Sequence, residues 1–202
     1  EDVDWDDLFG RQGARWFHTG GIFAALSDVS WRTAEAAMTA ARRHGTVVSF
    51  DLNYRPSLWK DRGGKAAAQE VNRRLAPLVD VLIGNEEDFS ACLGYEIQGL
   101  DHNLANPGEA GFEAMIAEVA ADFPNVAVIA TTLRGVRSAS VNDWSAIGWS
   151  RDSGFDTSRP FPGLEIFDRV GGGDSFASGL VFGILTGHTL EEALNYGAAH
   201  GA

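Results

Sequence analysis

Glu165-Ile166-Phe167-Asp168-Arg169-Val170-Gly171-Gly172-Gly173-Asp174-Ser175-Phe176 runs into an apolar pattern at Leu180, Val181, Ile184 and Leu185. A short strand, a glycine turn and a helix follow one another here. Three glycines let backbone amides converge without Cβ obstruction, and the partial positive charge of a helix N-terminus stands behind them, so the segment suits an anion, phosphate above all. Asp174 would repel such a ligand and needs another task. A carboxylate beside a phosphoryl group can accept the proton of an attacking hydroxyl, while the amides stabilise charge on the group in transfer. Read as local structure only, Asp174 caps the helix and the glycines turn the chain. The loop by itself leaves both readings open.

Outward from this loop, β-rich runs alternate with helical patterns. Thr46 to Phe50, Val81 to Ile83 and Val126 to Ile129 read as strands, with the strand at Val126 ending at Ala130 before Thr131-Thr132-Leu133-Arg134. Between them Ala34, Ala37, Met38 and Ala41 recur at i, i+3, i+4, i+7, as do Phe112, Met115, Ile116 and Val119. Those stripes are core faces. Nearly continuous apolar strands with helices between them require a parallel sheet covered on both faces, which places the chain in the α/β class. From Arg137 to Trp149 the pattern alternates, with Val141-Asn142-Asp143 able to turn, which predicts a hairpin or antiparallel edge. Ser150 to Pro162 reads as an ordered loop and Gly99 to Pro107 as a second polar connection.

The 202 residues suit one domain, and 45% hydrophobic content with 22% charged residues excludes disorder, collagen and coiled coil. With 16 Lys and Arg against 28 Asp and Glu, the net charge of −12 opposes binding to nucleic acid or anionic lipid. The lone cysteine, Cys92, excludes an internal disulfide framework and reads as a core residue in a reducing compartment. No apolar run approaches the roughly 18 residues of a membrane span, and the acidic Glu1-Asp2-Val3-Asp4 is unlike a signal peptide, so the expected location is cytoplasmic. A start at Glu1 and an end inside a helical pattern at His200-Gly201-Ala202 predict a piece of a longer protein.

Asp168 to Phe176 resembles the C-terminal D-T-x-G-A-G-D-x-F motif of the ribokinase-like (PfkB) sugar kinases, with Arg169 in place of Thr and Gly172 in place of Ala. The Arg and the triple glycine are similar to the version in 2-keto-3-deoxygluconate kinases. So are Asp51-Leu52-Asn53-Tyr54-Arg55-Pro56-Ser57-Leu58-Trp59 and Leu82-Ile83-Gly84-Asn85-Glu86-Glu87-Asp88-Phe89. The resemblance runs from Trp16-Phe17-His18-Thr19-Gly20-Gly21 onward and covers the later part of the family's single domain. The family's first strands, its β lid and its glycine-rich substrate loop have no counterpart here.

The resemblance implies a ribokinase-like fold and ATP-dependent phosphorylation of 2-keto-3-deoxygluconate to its 6-phosphate, with magnesium accompanying ATP. A neutral sugar such as fructose or ribose is the alternative acceptor. It implies Asp174 as catalytic base, with the amides of Gly171, Gly172 and Gly173 as the anion hole. Arg55 follows a strand end, where α/β folds place ligands, and a guanidinium fork suits a carboxylate. The resemblance lets it touch the sugar acid, the ATP phosphates or both; as local structure it is a surface ion pair. Arg169 is a further candidate for the acceptor, and Asn53, Thr132, Arg134 and Asn195 for the nucleotide. Asn85 and Asp88 match the family's N-x-x-E motif with a shorter acid, implying magnesium contact through water, while Asn85 alone suits a helix N-cap. The intact family member is also expected to self-associate through its lid.

Two other readings compete. Gly173-Asp174-Ser175-Phe176 is similar to the G-D-S block of one serine-hydrolase family, with Ser175 as nucleophile, although the elbow G-x-S-x-G fails at Ala177. A non-catalytic binding module is the other. His18, His44, His102, His188 and His200 lack the i, i+4 pairs or cysteine partners of a typical zinc site. Trp and Phe residues are scattered among aliphatic stripes, as core or pocket walls.

Overall fold

The computed structural model describes residues 3–96, 109–168 and 170–202. The chain divides into two compact units, Glu1–Glu96 with Ala120–Ala127 and Ile97–Val119 with Val128–Ala202.

The first unit is built on three parallel strands, β1 (Trp16–Gly20), β2 (Val47–Asp51) and β3 (Val81–Gly84), with Phe50 opposite Thr19 on one side and Leu82 on the other. Among the described residues five α-helices accompany them: α1 (Gly21–Ala25), α2 (Ser30–Arg43), α3 (Pro56–Trp59), α4 (Gly64–Leu75) and α5 (Glu86–Leu93). The expected α2 stripe of Ala34, Ala37, Met38 and Ala41 is buried, as are Val48, Phe50 and Leu82 on the strands. Three small alanines on one helical face let α2 approach closely, and burying Met38, Phe50 and Leu82 supplies the main apolar area. Pro56 opens α3, where its missing N–H costs no hydrogen bond and its fixed φ suits the first helical turn.

The second unit is antiparallel. β4 (Val128–Val136) and β5 (Val141–Ser150) form a hairpin, and β6 (Gly154–Thr157) and β7 (Phe161–Glu165) both pair with β5. Helix α6 (Glu109–Asp122) carries the other expected stripe, and Phe112, Met115, Ile116 and Val119 are all buried. Helices α7 (Gly172–Leu185) and α8 (Leu190–Gly201) complete the unit and pack closely. A Cβ on Gly179 would stand 2.5 Å from the Tyr196 carbonyl oxygen, and one on Gly197 would stand 2.8 Å from the Phe176 ring. Among the described residues no helix is long and apolar enough to cross a membrane.

Three expectations change. The hairpin turn lies at 138–140 rather than at Val141-Asn142-Asp143, because the Ser138 hydroxyl accepts the amides of Ser140 and Val141 and closes the turn before β5 begins. β4 runs through Thr131-Thr132-Leu133-Arg134 instead of ending before them, because the long β5 offers partners as far as Val136 opposite Asn142. The segment expected as a loop after Ser150 contains β6, entered through Gly154 at φ 81° and registered by Phe155 opposite Trp149. The connection Gly99 to Pro107 and Arg169 lie outside the described residues.

Candidate active site

After β7 the chain turns through the glycine run. The Asp168 side chain accepts the Val170 amide at 2.9 Å, and Gly171 adopts φ 85°, a left-handed conformation that favours glycine. Gly171 has no side chain to cap α7, and the Ser175 amide makes the first rung by donating to the Gly171 carbonyl at 2.8 Å. The amides of Gly172, Gly173 and Asp174 precede that rung and have no partner within the helix. They open outward. Among the described residues a Cβ on Gly173 would meet nothing within 4 Å beyond its own helix and chain neighbours, and Gly173 and Asp174 are exposed. Asp174 lies in the first turn, where a carboxylate is stabilised by the helix dipole, and the cap is made without its side chain. Phe167, 95% exposed, and Val170, 89% exposed, precede the run.

In the other unit, Asp51 ends β2 and is buried, and Leu52 donates its amide to the Ile83 carbonyl at 2.9 Å. Asn53 follows at φ 35°, the one positive φ outside glycine among the described residues. The Tyr54 amide then donates to Asp88 Oδ1 at 2.7 Å. Arg55 is extended, immediately precedes α3 and is exposed; its Nη1 donates to the Tyr54 carbonyl at 2.9 Å. Among the described residues no carboxylate pairs with Arg55, so the surface ion pair expected as its structural role is not formed. Among the described residues the Tyr54 carbonyl is the one hydrogen-bond acceptor of its five-donor guanidinium.

Asn85 caps α5 in a reciprocal box: its Oδ1 accepts the Asp88 amide at 3.0 Å, and Asp88 Oδ2 accepts the Asn85 amide at 2.9 Å. Both carboxylate oxygens of Asp88 are therefore engaged by backbone N–H groups. Burial pushes the Asp88 carboxyl above its usual range, against the amides of Asn85 and Tyr54 and the charge of Arg55, which favour the anion. Cys92 is buried beside the same segment, its thiol reaching the Leu52 carbonyl at 3.7 Å, and burial raises its pKa. This is the core position expected of it.

Thr132 and Arg134 sit inside β4, opposite Ala146 and Trp144, with Arg134 exposed. Asn195 on α8 accepts the Arg159 amide through Oδ1 at 2.7 Å, which ties the segment after β6 to the helix. His188 contacts Glu192, and among the described residues no hydrogen bond joins it or His200 to Ser175. The link between Asp88 and Tyr54 was not visible in sequence, because it joins residues 34 apart. Gly20-Gly21 was the readable signal for a close approach at the end of β1, where a Gly21 Cβ would stand 2.0 Å from the Leu52 carbonyl oxygen.

Parallel strands with crossover helices, a loop rich in polar groups beyond β2 and a glycine-led helix carrying an exposed acid define an α/β protein of the ribokinase-like class. The profile of the pfkB family carbohydrate kinase matches residues 12–202, and the chain belongs to that family. Over 92% of its length it is 32% identical to a 2-dehydro-3-deoxygalactonokinase of Haloferax volcanii, of which it covers 50%. It is 27% identical over its full length to a 5-dehydro-2-deoxygluconokinase of Clostridium perfringens, covering 52% of that protein. The crystal structure of 2-dehydro-3-deoxygluconokinase from Thermotoga maritima matches 99% of the chain with a TM-score of 0.86 and 36% identity, and the chain covers 57% of it. The chain spans about half the length of the curated relatives it matches.

Proposed function

We propose that the protein carrying this chain transfers the γ-phosphoryl group of ATP, taken as its magnesium complex, to the primary hydroxyl of a sugar acid, 2-keto-3-deoxygluconate in the first instance. The observation that carries this reading is the α7 N-terminus, whose first amides have no helical partner and whose first turn carries the exposed residue Asp174. In this reading Asp174 takes the proton of the hydroxyl as the oxygen attacks the γ-phosphorus. The bond to ADP breaks, and the amides at Gly171, Gly172 and Gly173 hold the negative charge that spreads over the phosphoryl oxygens. Arg55 binds the acceptor's carboxylate, ATP phosphates or both. Asn53, Thr132, Arg134 and Asn195 serve the nucleotide.

The related proteins named above support a keto-deoxy sugar acid as the acceptor class. The same reading makes this chain the later portion of one kinase domain, acting in the cytoplasm and self-associating when intact.

The test measures ADP release from MgATP with 2-keto-3-deoxygluconate, its galacto epimer, 5-dehydro-2-deoxygluconate, fructose and ribose. A keto-deoxy sugar acid is expected to give the highest kcat/KM; fructose or ribose in that place overturns the acceptor class. Asp174→Asn should lower kcat by roughly 10²–10⁴-fold with ATP binding little changed. Near-normal turnover removes Asp174 from the mechanism. Ser175→Ala should be mild, and an esterase activity lost in that variant would favour the hydrolase instead.

A further inference from the structure

The Asn85–Asp88 pair does not fit a magnesium contact. Each oxygen that could face an ion or its water already accepts a backbone N–H: Asp88 Oδ1 from Tyr54, Asp88 Oδ2 from Asn85 and Asn85 Oδ1 from Asp88. Asp88 is also only 5% exposed. Each oxygen keeps a second lone pair, but magnesium holds its waters in a near-octahedral shell, and a carboxylate buried this deeply leaves that shell no open approach.

We infer that Asp88 is a positioning residue, which fixes the Asn53–Arg55 segment through the Tyr54 amide. Asn53 has left-handed backbone at φ 35°, which asparagine tolerates better than other residues with a Cβ and which the ties on its flanks hold in place. Here both flanks are tied. Leu52 donates to the Ile83 carbonyl on one side, and Tyr54 donates to Asp88 on the other. The segment is also closed from behind, because the Leu52 carbonyl is pressed against Gly21 at the place where any Cβ would stand.

Arg55 comes one residue after the clamped amide, and its own guanidinium donates back to the Tyr54 carbonyl at 2.9 Å. The direction in which that guanidinium leaves the segment is therefore set at Tyr54. A charged acceptor makes the clamp stronger than a neutral one would be, and the same carboxylate caps α5, so a single group joins the loop beyond β2 to the helix after β3. An Asp rather than a Glu suits this double duty. A Cβ on Gly84 would stand 3.2 Å from the Asp88 Cβ, so the end of β3 lies close against the first turn of α5.

The proposal rests on the kinase reading for its kinetic consequence but not for its structural one, and the experiment separates the two. In the full-length protein, Asp88→Asn keeps the shape and leaves one oxygen to serve two amides. Amide hydrogen exchange should quicken at Tyr54 by about tenfold or more, as expected for loss of a hydrogen bond to a charged group, while Phe50 and Leu82 keep their protection. Unchanged protection at Tyr54 overturns the inference whatever the enzyme does. In the kinetic arm, Asp88→Asn should raise the KM for the sugar acid by about tenfold and leave the dependence on free magnesium, at constant MgATP, unmoved.

The opposite pattern, a shifted magnesium dependence with an unchanged acceptor KM, means that Asp88 is a metal contact and overturns the inference. Adding Arg55→Lys to Asp88→Asn should cost little beyond the worse single change, because both act on one guanidinium; additive losses count against it. If Asp88→Asn fails to fold, Asp88→Glu provides the same readings with the charge retained and the reach altered. Absence of phosphorylation with every acceptor defeats the kinase reading alone, and the exchange result still decides the clamp.

Discussion

The Leu52 carbonyl oxygen stands 2.0 Å from the position a Cβ on Gly21 would take, and the obstacle is backbone rather than a movable side chain. Gly21→Ala therefore forces β1's exit or the loop beyond β2 to shift. Overpacking of this kind costs roughly 1–3 kcal/mol, and the upper end is expected where main chain must move. Urea unfolding should show a lower midpoint with an unchanged m-value. An unchanged midpoint would mean that the loop yields without cost.

Gly173 is the opposite case. A Cβ there meets nothing among the described residues outside its own helix, and the backbone is helical, so Gly173→Ala should leave stability unchanged or raise it by up to about 1 kcal/mol through the lower entropy of the unfolded chain. Turnover should nevertheless fall by roughly 10²-fold, the scale for disturbing one donor of an anion hole, because the methyl group projects beside the amides proposed to hold the phosphoryl group. Thermal melting alongside kcat tests both halves, and full activity would show that nothing approaches Gly173 closely.

The contrast between these glycines marks what the sequence could tell. Elements whose formation depends on local pattern were legible: the stripes through Met38 and Ile116 are buried, and the turn at Gly171 leads into α7. Boundaries set by a partner were not. Thr131 to Arg134 became strand because β5 continues opposite them, and Gly154 to Thr157 pairs with β5 although its own residues show no apolar alternation. In the candidate site, the residue types at Arg55, Asn85 and Asp174 were readable. The attachment of Asp88 to Tyr54 was not, since a carboxylate three residues into a helix signals a cap and gives no sign of a second amide from a distant loop.

The cap of α8 should give the second unit an acid-sensitive element. Glu192 accepts the Thr189 amide at 2.9 Å and its hydroxyl at 3.1 Å, with His188 at 3.3 Å, and these contacts, the Thr189 amide foremost, hold its carboxyl below the ordinary value of 4.5. A carboxyl lowered by folding stabilises the native state above its unfolded value and loses that contribution as pH falls through the folded one. The melting-temperature gap between the natural chain and Glu192→Gln should be widest near about pH 7 and narrow as the pH falls below the ordinary carboxylate range and through the lowered value of Glu192. A gap constant across that range would show that the charge contributes nothing to the cap.

Arg55 is expected to carry selectivity for an acidic acceptor. Its guanidinium is exposed, spends one donor on the Tyr54 carbonyl and pairs with no carboxylate among the described residues. A planar fork can give a carboxylate two parallel hydrogen bonds, and a lysine ammonium, a point donor on a flexible stem, cannot reproduce them. Arg55→Lys should therefore raise the KM for 2-keto-3-deoxygluconate roughly 10- to 100-fold, the range for weakening hydrogen bonds to a charged group, while a neutral sugar is affected far less. The loss should appear in KM more than in kcat, because the carboxylate lies away from the reacting hydroxyl and is bound alike in ground and transition states. If both acceptors weaken equally and the KM for ATP rises with them, Arg55 serves the nucleotide phosphates. The ratio of the two acceptor KM values, measured at saturating MgATP, separates the two roles.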